Sequence, residues 1–411
     1  MKKLFFIAVL LLLLGGAAWW YFHEQSLSDY DPAFREYAYV TNGKSNTVSV
    51  IDLRTFALAK TLQVGSEPTG IAANGKKNEI YVVNTGSNNV SVIDAETNTV
   101  VATIGVHGKP YFIDVSTDGK RAYVANSGSA NLSVIDLKKR VVMGNVPVGA
   151  APGQARISPD DSTVVVSNRG DNTVSIIDAK LLRVRATLPV CHQPEDIAIL
   201  PDSSKAFVSC SGSGQVASIQ LASQNTNPEE AAGDQKDQAK KSGTRKKEDR
   251  VLALIDVGRT PVSLTLKPDG GEMMVCNFDS DSISIIETYN DEVGNSHEIG
   301  QHPSRGVVTL DNSRLYVSNF GSNSVTVFDI DIGRRVGAPL NVGSRPDAMA
   351  LSPDQNYLLV LDTESGDVTV IQKRTPHRTL ETSEYSLLTL IPVGAQPNAI
   401  VIKTFLANQK K

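Results

Sequence analysis

A fourteen-residue text, YVVNTGSNNVSVID from Tyr81 to Asp94, recurs along this chain at a fixed step, and no other feature limits its fold so strongly. Tyr81, Val82 and Val83 are β-formers that end at Asn84, a residue that tolerates left-handed backbone. Thr85 to Asn88 make a polar turn, and Val90 to Ile93 form a return strand closed by Asp94. That pattern predicts a β-hairpin. Copies begin at Tyr39, Tyr123, Val165 and Tyr316.

The asparagine that ends the first strand is a ruler. Asn42, Asn84, Asn126, Asn168 and then Cys210 stand 42 residues apart. The register resumes at Asn277 after a 25-residue insertion and continues through Asn319 and Asp362. A loop of the form V-G-x-x-P keeps the same register, with prolines at 68, 110, 152, 194, 261, 303, 346 and 397. From the glycine position of that loop to the next asparagine position is always 19 residues. Such regularity marks a structural array.

Each unit reads as four short strands. An alternating segment follows the proline (Tyr111 to Val115, Asp347 to Leu351), then a tight turn such as Ser158 to Asp161, the marker hairpin, and a last strand such as Val101 to Ile104. Four antiparallel strands per unit, with no helical period between them, predict propeller blades. The first unit lacks its post-proline segment, and an orphan copy, Pro397 to Lys403, stands at the carboxy terminus. That strand is expected to complete the first blade and close the ring. The fold expected is all-β, an eight-bladed propeller over 37–404 with a 405–411 tail; seven blades would follow if one unit were misread.

The amino terminus reads differently. Two lysines precede Leu4 to Phe22, which carries no charge and as a helix would span roughly 28 Å. Residues 1–22 are therefore expected to be a signal anchor or a cleaved signal peptide, followed by a polar linker over 23–36. Gly16-Ala17-Ala18 would suit cleavage. Trp19, Trp20, Tyr21 and Phe22 suit an interfacial belt and favour an uncleaved transmembrane anchor, which places the propeller on the periplasmic or other extracytoplasmic face. If the signal is cleaved the protein is secreted. Forty basic against 44 acidic residues, spread without blocks, give no indication of nucleic-acid binding. Two insertions interrupt the array, about 224–249 and Lys373 to Ser386. The first has almost no apolar residue and is expected to be disordered.

Tyr39-Val40-Thr41-Asn42 and its copies, with the S-N-x-V-S-V-I-D and S-P-D-G elements, resemble the YVTN β-propeller family, which includes YncE-like and surface-layer propellers. The resemblance implies a propeller with a central channel. Related propellers include lactonases, haem d1 carriers and interaction modules, so it does not fix an activity.

The repeat supplies its own control for a site, because residues that depart from the loop consensus can be read off. Around the expected channel mouth these are His107, Lys109, Tyr111, His192, Glu195, Asp196, Arg259, His302, Arg305, Arg345 and Asp347. They suit a small polar or anionic ligand or a protein partner. No cofactor is expected from motifs: C-x-x-C-H, H-E-x-x-H, paired C-x-x-C and G-x-S-x-G are all absent from the sequence. His192 and His302 are the candidates for a haem d1 ligand, and a lactonase-like hydrolase using the rim carboxylates is the other alternative to a binding scaffold. Cys191 and Cys210 replace the consensus glycine and asparagine of one unit, which leaves two readings: a disulfide, or two separate buried thiols. Cys276 is expected to be a core thiol.

Overall fold

The computed structural model describes residues 31, 33–222, 248–374 and 384–407. The chain divides into two compact units, Tyr37–Lys403 and the terminal segments Met1–Glu36 with Thr404–Lys411. In the terminal unit the Ala407 N–H donates to the Ala33 carbonyl at 2.8 Å. The described strands form eight antiparallel sheets, seven of four strands and one of five, so the count is eight and not seven.

Blades are numbered here by their marker hairpins. Blade 2 shows the plan, running Pro68–Ala73, Glu79–Asn84, Asn89–Asp94 and Thr99–Gly105 in spatial order from the inner strand outward. Inner strands of blades 3 to 8 begin at Pro110, Pro152, Pro194, Pro261, Pro303 and Pro346. In blade 1 the order is Pro397–Leu406, Phe34–Asn42, Thr47–Asp52 and Ala57–Gln63. Blade 7 has a broken outer strand, Arg334–Arg335 and Leu340–Asn341, because Gly337 and Pro339 interrupt it.

The two hairpin strands of each blade are buried on both faces, whereas the fourth strand is largely exposed. That follows from blades stacking face to face: Tyr81, Val83, Val90 and Val92 of blade 2 share one core with Ile113, Val124 and Ile135 of blade 3. Each such side chain contributes about 1.5–3 kcal/mol when fully buried.

The ruler asparagine has another role than the sequence suggested. Asn84 is not left-handed; it is buried and extended, and its Nδ2 donates to Asn89 Oδ1 at 2.7 Å and Ser91 Oγ at 2.9 Å. The left-handed residue is Asn88, four positions on, with φ of 54°. Asn42, Asn126, Asn168, Asn277 and Asn319 donate in the same way to the residues five and seven places ahead. A side chain that can donate twice inside the sheet explains why this position recurs as asparagine.

Both insertions join a third strand to a fourth. Residues 223–247 and 375–383 lie outside the described residues, as does the expected anchor over 4–22. Among the described residues no helix is long and apolar enough to cross a membrane. Asp249 corrects the expected bounds of the first insertion. Its carboxylate takes Arg185 Nε at 2.6 Å and Nη2 at 2.8 Å, and also accepts the Ala222 amide, so it is held in the fold.

Candidate functional site

The V-G-x-x-P loops position the rim by a device repeated around the propeller. The residue before each proline is left-handed: Glu67, Lys109, Ala151, Gln193, Thr260, His302, Arg345 and Gln396 all have φ between 48° and 58°. None is glycine, so the conformation must be held from outside. In five of the eight, a side chain from the hairpin of the preceding blade holds it. Asn46, Asn88, Asn172, Asp281 and Asn323 accept the N–H of Glu67, Lys109, Gln193, His302 and Arg345 respectively at 2.8–3.0 Å.

This latch sends side chains before the proline outward. Lys109, His302 and Arg345 stand on latched residues and are exposed, as are His107, His192 and Arg259. Residues after the proline turn toward the channel. The structure thus divides the predicted rim: Tyr111, Glu195, Asp196, Arg305 and Asp347 belong to inner strands.

Within the channel Arg305 lies between two carboxylates, with Nη1 3.8 Å from Asp196 and Nε 3.6 Å from Asp347. It reaches past the intervening inner strand of blade 6, where the matching position is the small Ser263. Asp196 also ties neighbouring blades together, accepting Leu264 N–H of blade 6 at 2.9 Å. Glu195 pairs with Arg169 at 3.4 Å, and the Arg169 guanidinium covers the Tyr111 ring at 4.6 Å. Burial raises the Glu195 carboxyl above its usual range, against the pull of Arg169.

A cavity of about 570 Å³ opens between the inner strands, lined among others by Asp114, Gln154, Arg156, Arg305, Asp347 and Asn398. Asp114, Gln154 and Arg156 were not among the residues singled out from the sequence. Asp114 accepts Val115 N–H at 3.0 Å and Ile157 N–H of blade 4 at 3.1 Å, and burial raises its carboxyl although Arg156 is near. Arg156 lies over the Phe112 ring at 4.5 Å. The missed signal lay two and four residues past each proline, where most units carry small or apolar residues.

At the joint of blades 6 and 7 the rings of Phe278 and His302 stack with centroids 4.5 Å apart, and Phe320 lies 6.0 Å from Phe278. His302 Nδ1 is 3.0 Å from the Phe278 carbonyl, which can only accept, so Nδ1 is the donor in that contact and Nε2 is the nitrogen left to face an axial haem ligand. Neither His302 nor His192 lines the cavity, however, so the histidines do not fit a haem seated there. Among the described residues no group of three or more His, Cys, Asp or Glu could hold a metal ion.

Cys191 and Cys210 are joined by a disulfide, with Cα atoms 5.6 Å apart, directly before the strand that carries Glu195 and Asp196. Cys276 is free and buried, which pushes its thiol up to about 12.

An eight-bladed antiparallel propeller with charged inner strands around a polar cavity is the class that these features define. The YncE-like β-propeller family matches over residues 26–157, and the seven-bladed lactonase β-propeller family over residues 300–389. The chain is thus an eight-bladed β-propeller that is similar to the YncE-like family over its amino-terminal third. No curated protein matches it by sequence.

Solved structures similar to it include hydrazine synthase from Kuenenia stuttgartiensis, at 22% identity and a TM-score of 0.53, covering 71% of this chain and 91% of that one. The dihydro-haem d1 dehydrogenase NirN is similar at 14% identity and a TM-score of 0.67, over 89% of this chain and 74% of that one. A Bacteroides fragilis protein described as a candidate 6-phosphogluconolactonase is similar at 14% identity and a TM-score of 0.54, over 77% and 98%. At these identities the likeness is one of fold.

Proposed function

We propose that the protein is a non-catalytic binding module whose small polar ligand enters the cavity between the inner strands. One observation carries the reading: Asp114, Arg156, Arg305 and Asp347, from blades 3, 4, 7 and 8, converge on one cavity. Charge placed on inner strands costs stability unless it is paired or hydrogen-bonded, and the guanidiniums of Arg156 and Arg305 make no close hydrogen bond among the described residues. Native mass spectrometry of the chain from its own host tests this. A bound species lost in the Arg156→Gln/Arg305→Gln variant is expected; a copurified species that the variant retains would put the ligand elsewhere.

The setting belongs to the same proposal. The uncharged stretch Leu4 to Phe22 supports a tether in the cytoplasmic membrane with the propeller outside it, and the Cys191–Cys210 bond supports an oxidising compartment. The place of Pro397–Leu406 in the blade 1 sheet supports closure of the ring by the chain's tail.

A second reading, hydrolysis of a lactone, is favoured by the lactonase-family match over 300–389. Glu195, with its raised carboxyl, and His302 are the residues it would use. Lactone turnover that survives Glu195→Gln with His302→Ala would remove it.

A further inference from the structure

We propose that the cavity takes a small ligand with two anionic oxygen groups, such as a dicarboxylate, one held by Arg156 and the other by Arg305. This rests on the binding-module reading and names its ligand class.

The argument is about unspent hydrogen bonds rather than net charge. Arg156 and Arg305 line the same cavity. Arg156 is placed by the Phe112 ring, and among the described residues its guanidinium has no hydrogen bond or ion pair. Arg305 has its nearest carboxylate oxygens at 3.6 and 3.8 Å, close enough to hold its charge but too far to use its N–H groups. Two planar forks thus keep their donors.

The carboxylates near the two arginines already take backbone N–H groups: Asp114 in the cavity lining, and Asp196 beside Arg305 but outside that lining. Both Asp114 oxygens take backbone N–H groups, from Val115 and Ile157. Both Asp196 oxygens do the same, from Ile197 and Leu264. Asp347, the other carboxylate beside Arg305, lines the cavity itself. The Gln154 amide also lines the cavity, with Oε1 buried and unpartnered as placed; turned over, it would put its two N–H donors there instead. A surplus of fixed donors selects a ligand rich in acceptors, and planar guanidinium forks match carboxylate or phosphate oxygens in pairs. A neutral polyol would leave much of that capacity unused. A cation would face both arginines.

Isothermal titration of the folded chain with malate, succinate, acetate and glucose tests the proposal. Malate or succinate should bind with one site per chain. Arg156→Gln and Arg305→Gln should each weaken binding by tenfold or more, and acetate should bind far more weakly than either dianion. Arg156→Lys, which keeps the charge without the fork, should recover only part of the loss, and unchanged melting of each variant guards against misfolding. Failure of both dianions to bind overturns the proposal, as does equal binding by wild type and both glutamine variants. If a neutral or cationic species copurifies and is lost from the double variant, the binding module stands and the dianion falls.

Discussion

Cys191 and Cys210 are bonded in the same two places that Gly258 and Asn277 hold in the next blade. A Cβ on Gly258 would sit 2.6 Å from Asn277 Cβ, so the consensus pair is already in tight contact. Blade 5 also has Ala217 where other blades place a serine or threonine to accept from the asparagine. A covalent bond has replaced a small polar network.

That replacement predicts a reductant-sensitive blade. Cys191→Ser with Cys210→Ser should cost about 2–4 kcal/mol, since it restores neither the bond nor the network. Cys191→Gly, Cys210→Asn and Ala217→Ser together should recover stability. Thermal melting with and without reductant checks both: the wild type should melt lower in reductant and the triple variant should not respond.

The glycine contact predicts a sharp contrast between two alanine substitutions. At Gly300 a Cβ would lie 2.3 Å from Asn319 Cγ, whereas at Gly105 nothing lies within 4 Å. Gly300→Ala should destabilise by about 1–3 kcal/mol through overpacking. Gly105→Ala should be neutral or slightly stabilising. Equal melting temperatures for the two would refute the contact.

Blade 8 has Asp362 at the ruler position, facing Asp367 across the hairpin. Burial above all, and then Asp367, raise its carboxyl from 3.8 to about 8. Between those values the folded chain holds a proton that the unfolded chain has released, so stability falls as pH rises through this window and levels above it. Asp362→Asn should restore the two-donor arrangement, raise the melting temperature at pH 8 and flatten this slope. Melting from pH 5 to 9 is the measurement.

Arg185 and Asp249 close the base of the first insertion, both largely buried. Arg185→Ala would strand the carboxylate, and breaking such a pair costs about 3–5 kcal/mol. Hydrogen exchange should quicken at the Ala222 amide, which Asp249 accepts. Unchanged exchange there would show that the pair does not secure the insertion.

The architecture was readable because the 42-residue step survives every substitution within it, and periodicity reports strand order directly. The reason for the ruler asparagine was not readable. Its tolerance of left-handed backbone and its capacity to donate twice predict the same letter, and only the positions of Asn89 and Ser91 separate them. At the site, Glu195, Asp196, Arg305 and Asp347 came from departures in the proline loops. Arg156 and Asp114 escaped because an inner strand looks like core until it is known which of its faces meets the channel.

The grip of each hairpin on its neighbour's left-handed residue also bears on how such a chain could have grown. Five of the eight hairpins supply a hook, such as Asn88, to an eye in the next copy, such as the N–H of Lys109. A gene lengthened by whole copies would encode blades already fitted to their neighbours at both joints. Adding an eighth to a ring of seven would then demand only a small change of angle between blades, with no new joint to invent.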